Sequence, residues 1–132
     1  LELLQREDPE LRAAGLDTLV RHGRRDYALR LFERMLRDPG FAARSLAEKK
    51  LTCAAVSRIV GEEAAEWFTE ALRPHDRRWF ASRRERETLQ ALAHGIRMIG
   101  TEEAQVTLLD LSTCRNRPAR AACRREIQER TP

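Results

Sequence analysis

The sequence predicts an all-α chain, an α-solenoid of antiparallel helix pairs with about seven helices. Three observations carry that expectation. β-Branched and aromatic residues are sparse beside Ala, Leu, Arg and Glu, which favour helices. Glycines end helical stretches at Gly23, Gly61 and Gly100, separated by 38 and 39 residues. Residues 41–61 laid over 80–100 share seven identities, among them Phe41/Phe80, Arg44/Arg83, Glu48/Glu87 and Gly61/Gly100. A period of 36–39 residues built from helix pairs is the signature of stacked helical repeats.

Capping chemistry and apolar spacing place each element in turn. Asp8 can cap a first helix with Pro9 at its opening position, where the missing N–H costs nothing. That helix runs through Leu11, Leu16, Leu19 and Val20 and stops before Gly23. A second follows at about 25–37 and is stopped by Asp38-Pro39-Gly40. Ser45 with Glu48, and Ser82 with Glu85, form capping boxes that open helices of about 45–60 and 82–99. Gly61 leads into a helix at about 62–73, and Thr101 caps one at about 101–112. Asn116 caps the last, to about 129. Leu1 to Gln5 read as the end of a preceding helix, which marks the chain as a fragment of a longer one.

The second helix of each pair carries a core row with a four-residue step. Ala28, Phe32 and Leu36 form it first, Ala64, Phe68 and Leu72 repeat it, and Ala104, Leu108 and Ser112 give a third copy. Residues four apart lie one above the other on a single helix face. Ser112 is polar where its counterparts are Leu, and the expectation is a looser stack near the C-terminus. The repeats run at about 8–38, 41–74 and 80–113, with a partial one at 116–130. Together they make one domain over residues 1–132.

Composition bounds what such a chain can do. Charged residues interrupt every apolar stretch long before about 18 residues, which excludes a membrane-spanning helix. The formal net charge is +4, and 23 of the 25 basic residues are Arg. A surface built for phosphate contact usually mixes in Lys, so this bias weakens a nucleic-acid reading based on charge alone. Cys53, Cys114 and Cys123 are odd in number and form no Cys-x-x-Cys pair, as expected of reduced cytoplasmic thiols.

Asp8-Pro-Glu-Leu-Arg-Ala-Ala-Gly-Leu resembles the Asp…Val-Arg…Ala…Leu core of HEAT repeats. Residues 58–72 and 97–111 resemble the bacterial form of the same repeat. The resemblance covers nearly the whole chain, as about three and a half repeats, and specifies fold far better than function. It implies a right-handed superhelix whose second helices line the concave surface. It also implies an interaction or scaffold module of a bacterial cytoplasm.

Two features could carry binding. Residues two before each core position lie about 200° round the helix and face outward. They are Asp26, Arg30 and Arg34 in the first repeat, Glu62, Glu66 and Glu70 in the second, and Glu102, Val106 and Asp110 in the third. This row reads either as a solvated helix face or as a groove for a basic peptide or helix. The connection 73–86 is the second feature, with Arg77, Arg78, Trp79, Arg83 and Arg84 close together. Phe80 recurs with the period and reads as a packing plug, whereas Trp79 stands where Gly40 stood one repeat earlier. Loop Trp and Arg anchor protein partners and also stack on single-stranded nucleic acid, which is the alternative reading. The same residues can instead tuck under the loop and pair with Glu85 and Glu87.

Catalysis has little support in the residues. His22, His75 and His94 are scattered and form no metal-ligand pair at helical spacing. Cys114 and Cys123 lie nine apart, and the turns at Gly61 and Gly100 are followed by acids, unsuited to phosphate. Some HEAT-like proteins are DNA alkylpurine glycosylases, but their concave wall is strongly basic and this one is mostly acidic. The expectation is a non-catalytic chain with no cofactor and no metal, bound to a protein partner.

Overall fold

The computed structural model of the chain describes residues 7–73 and 82–129. Among them are seven α-helices of nine residues or longer, one four-residue helix and one 3₁₀ turn, and no strand. In chain order the helices are α1 (Pro9–His22), α2 (Arg25–Arg37), α3 (Pro39–Ala42) and α4 (Leu46–Val60). There follow α5 (Ala64–Leu72), α6 (Arg83–Ile99), α7 (Glu102–Leu111) and α8 (Arg117–Glu129). The 3₁₀ turn, Gly61–Glu63, leads into α5.

Local chemistry sets the helix ends. Asp8 Oδ1 accepts the Glu10 N–H at 2.9 Å, and Pro9 opens α1. The Ser45 and Ser82 hydroxyls each accept the N–H three residues on, at 3.2 Å. Thr101 Oγ1 takes the Ala104 N–H at 3.1 Å, and Asn116 Oδ1 takes that of Ala119 at 3.2 Å. Each cap satisfies a donor the helix itself cannot, typically worth about 1 kcal/mol. Gly61 and Gly100 turn the chain with φ of 74° and 79°, a region that costs a side-chain-bearing residue.

One expectation is extended and one is corrected. Asp38-Pro39-Gly40 does more than end α2. Asp38 Oδ1 accepts the Gly40 N–H at 2.9 Å and opens α3, and that single turn drives Phe41 into the core at 2% exposure. Ser112 does not loosen the stack either. It is buried at 8% exposure, its hydroxyl donates to the Leu109 carbonyl, and its own carbonyl accepts from Arg124 Nε at 2.9 Å. A polar tie from α8 closes the place where Leu stands in the other repeats. Phe80 and Leu1 to Gln5 lie outside the described residues.

α6 is the centre of the packing, touching α4, α5, α7 and α8, while α4 also receives α1 and α2. The core rows land as their spacing requires. Ala28, Phe32, Ala64, Phe68, Leu72 and Leu108 are all buried, and Phe32 meets Phe68 edge-to-face with ring centroids 5.2 Å apart. A smaller cluster of Leu16, Leu19, Leu31, Met35, Phe41 and Ala55 fills the N-terminal end.

Polar ties repeatedly join residues one period apart. Arg12 grips both carboxylate oxygens of Glu48, at 2.5 and 2.8 Å, across 36 residues. Ser57 Oγ reaches the Gly95 carbonyl across 38, and Thr101 Oγ1 donates to Glu62 across 39 at 2.7 Å. Gln90 Nε2 donates to Glu129 Oε1, again across 39. Such bonds tie α1 to α4, α4 to α6, α6 to α8 and the start of α7 to the turn before α5.

Candidate functional site

α5 presents two opposite faces because its core row repeats every four residues. Ala64, Phe68 and Leu72 are buried, and Glu66 and Glu70 project from the far side, both exposed. α7 does the same, with Ala104 and Leu108 inside and Glu102, Val106 and Asp110 outside. Asp26, Arg30 and Arg34 are likewise exposed on α2. The two acidic helices come together. Thr101, at the start of α7, bonds Glu62, and Thr107 shares a depression of about 420 Å³ with Ala65, Glu66, Thr69, Glu70 and Arg73. A second depression, of about 440 Å³, lies at the α1–α2 corner by His22 and Tyr27, and Asp26 and Arg30 of the outward row line it.

Glu62 is therefore partly committed to the fold through Thr101. Its neighbour Glu63, which the outward row had not included, pairs with Arg25 Nη2 at 2.9 Å. Including those two, seven exposed carboxylates gather on adjoining elements: Glu62, Glu63, Glu66 and Glu70 beside Glu102, Glu103 and Asp110.

Arg83 and Arg84 occupy the first turn of α6, exposed and on a different helix from the acidic row. The Arg84 carbonyl accepts from the Lys49 ammonium at 3.1 Å, which anchors the start of α6 to α4. Lys49 is fully buried, and desolvation lowers its pKa against the partial compensation of Glu87. Arg77, Arg78 and Trp79 lie outside the described residues.

Sequence reasoning missed a buried charge centre. Glu126 of α8 is fully buried and collects groups from two other helices. His94 Nδ1 lies 2.6 Å from Glu126 Oε1. A carboxylate only accepts, so that ring nitrogen carries the proton and donates. Arg97 Nη1 donates to the same oxygen at 2.9 Å, and the Lys50 ammonium stands 3.3 Å from the other. Lys50 also pairs with Glu129 at 2.5 Å. Burial opposes the charge on Glu126, yet His94 and Lys50 outweigh it and hold the carboxyl at about 2, against an ordinary 4.5. The signal was present in the sequence. Ala119, Ala122, Cys123 and Glu126 share one buried helical stripe, and an acid on such a stripe demands a partner.

Chemistry elsewhere is quiet. Cys53, Cys114 and Cys123 are free thiols. Burial pushes the Cys123 thiol up to about 12 and that of Cys53 still further, so neither is a ready nucleophile. Among the described residues no three His, Cys, Asp or Glu side chains converge to hold a metal ion. No described helix is long and apolar enough to cross a membrane. No protein-family profile, no curated protein and no solved structure matches the chain.

Proposed function

We propose that the chain is a HEAT-like, right-handed α-solenoid module of a bacterial cytoplasm. In this reading it does no chemistry and binds a protein partner through the outward faces of α5 and α7. The succession of contacts α1–α4–α6–α8 supports the stacked-repeat reading, and so do polar ties spaced by 36–39 residues. Free thiols fit a reducing compartment.

Charge segregation carries the binding reading. A chain of net charge +4 places seven exposed carboxylates on α5, the turn before it and the adjoining α7, with a depression between the two helices. Like charges four apart cost a helix a few tenths of a kcal/mol each, so the row works slightly against the fold that keeps it. A cationic segment would relieve that repulsion and gain directional attraction.

An arginine-rich peptide at about 0.1 M salt tests this, with binding followed by fluorescence anisotropy. Glu66→Lys with Glu70→Lys should weaken binding roughly tenfold or more, whereas Arg83→Glu with Arg84→Glu should not. Binding that ignores the glutamates would remove the reading.

The nucleic-acid alternative has one observation in its favour. Arg83 and Arg84 sit in the first turn of α6, where cations oppose the helix dipole, so the helix itself has no use for them. Steeply salt-dependent binding of mixed-sequence RNA or DNA, lost with Arg83→Glu and Arg84→Glu, would establish that role.

A further inference from the structure

Between Asp110 and Glu126 the chain has five arginines and no acid: Arg115, Arg117, Arg120, Arg124 and Arg125. All but Arg115 lie on α8, and helical geometry gathers them on one side. Ala119, Ala122, Cys123 and Glu126 form the buried stripe of that helix. At about 100° per residue, the four arginines fall within roughly 70° of the direction opposite the stripe. Arg117 and Arg124 stand exposed at the centre with Ala121 and Gln128, while Arg120 and Arg125 flank them, partly buried. Arg115, also exposed, extends the patch past the helix start.

These charges are uncompensated. Among the described residues none of the five pairs with a carboxylate, although Arg12, Arg21, Arg25, Arg44 and Arg97 all do. The adjoining acid, Glu126, points inward and is spent on His94, Arg97 and Lys50. Arg124 Nε donates to the Ser112 carbonyl at 2.9 Å, and Arg120 Nη1 to that of Cys114 at 3.4 Å. A neutral carbonyl fixes each guanidinium without cancelling its charge and leaves the rest of its fork to donate outward. Nor does α8 gain from the arginines as a helix. The other six long helices each have an acid in the first turn: Glu10, Asp26, Glu48, Glu66, Glu85 and Glu102. α8 has none, and Arg117 and Arg120 at its start oppose its dipole.

The face narrows the class of anion that fits it. Protein interfaces centre on apolar or aromatic anchors and keep charge out of the core. Here the centre is Ala121, and no exposed large apolar residue belongs to α8. A single strand needs aromatic rings for its bases to stack on, and α8 has none. A membrane-surface helix turns its apolar side outward, whereas α8 buries its own against α6 and α7. A duplex backbone needs only cations at intervals. From Arg117 to Arg125 the helix extends about 12 Å, which matches about three or four phosphates of one strand at about 3.4 Å each.

We infer that the outward face of α8 binds the phosphate backbone of a nucleic-acid duplex, without reading base sequence. It lies on a different helix from the acidic row of α5 and α7 and from Arg83 and Arg84 of α6. The protein-binding reading above and this one therefore stand or fall independently.

Fluorescence anisotropy of the whole chain with a mixed-sequence DNA duplex of about 20 base pairs, between about 0.05 and 0.3 M salt, supplies the test. The logarithm of affinity should fall against the logarithm of salt with a slope of about −3, as expected for about three or four phosphate contacts. Arg115→Gln with Arg117→Gln should flatten that slope by about 2 and weaken binding roughly tenfold or more at about 0.1 M salt. The melting temperature should not fall, because both side chains are exposed and neither is bonded among the described residues. Arg83→Gln with Arg84→Gln should leave slope and affinity unchanged.

A slope lost with the α6 pair but kept with the α8 pair overturns the inference and assigns the duplex to Arg83 and Arg84. No binding at about 0.1 M salt, or binding without salt dependence, also overturns it and leaves the acidic-face reading standing. Poly-glutamate that displaces the duplex as well as unlabelled duplex does, at equal charge, assigns the face to an acidic polypeptide. Vesicles rich in phosphatidylserine that do the same assign it to a lipid surface. Either result overturns the inference.

Discussion

The ring of Phe68 lies flat against the backbone of Gly95. A Cβ at residue 95 would stand 2.6 Å from Cζ and under 3.0 Å from both Cε atoms. α6 approaches α5 this closely only because residue 95 has no side chain. The same ring packs edge-to-face with Phe32, centroids 5.2 Å apart, which limits its room to retreat. Gly95 also lends its carbonyl to Ser57 Oγ, fastening α6 to α4 at the same level.

Gly95→Ala should destabilise the chain by about 1–3 kcal/mol, the usual range for overpacking. Alanine's helix propensity alone would instead stabilise by about 1 kcal/mol. Urea unfolding decides the sign. Phe68→Leu in the alanine background should cost clearly less than Phe68→Leu alone, because the two sites share one space. Strict additivity would show that the ring does not set the helix approach.

Phe68→Ala should cost about 3–5 kcal/mol, since the site is enclosed by α2, α5 and α6 and cannot collapse from an open end. Truncating exposed Leu51 in the same way should change stability by no more than about 0.5 kcal/mol. Comparable losses at the two positions would contradict the burial pattern of the repeat.

Glu126→Gln should lower stability by roughly 3 kcal/mol at pH 7, the amount that a drop in pKa from 4.5 to about 2 represents. The folded-state value lies below the unfolded one. Glu126 therefore contributes fully above about pH 4.5, and its contribution fades as pH falls towards 2. Wild type and variant, compared by denaturant unfolding along that range, should converge at the acid end. A constant difference down to pH 2 would show that Lys50 and His94 do not stabilise the charge.

Arg12→Lys keeps the charge yet loses the fork that spans both oxygens of Glu48, and it should cost about 1 kcal/mol. Ala at the same position should cost more, because Glu48 is largely enclosed and would keep, among the described residues, just the Arg44 ion pair at 3.5 Å. Thermal unfolding at low and high salt separates the two. If the lysine variant matches wild type, the paired geometry contributes nothing.

Glu66→Lys should move stability and binding in opposite directions. A lysine between Glu62 and Glu70 turns two repulsive four-residue spacings into attractive ones, raising stability by a few tenths of a kcal/mol. Affinity for an arginine-rich peptide should fall at the same time. A variant that loses both would mean that Glu66 supports the fold.

Helix ends, period and core rows were legible in the sequence, because each depends on groups a few residues apart. A serine hydroxyl meets the N–H three residues on whatever else the protein does, so Ser45, Ser82, Thr101 and Asn116 could be read one at a time. The outward acidic row followed from the same arithmetic. Glu66, Glu70, Glu102 and Asp110 stand opposite buried Ala64, Phe68, Ala104 and Leu108 on rigid helices.

Only the tertiary structure decided which groups meet across helices. Glu126 was visible as an acid on an apolar stripe, but its partners come from α4 and α6. Their identity depends on how far each helix is rotated and raised against its neighbour. The diversion of Glu62 to Thr101, the burial of Phe41 by a one-turn helix and the need for glycine at residue 95 have the same origin. Local chemistry sets where a helix begins and which face it offers. Close packing of side chains of unequal size sets the distance and register between helices, and the buried polar contacts follow from that register.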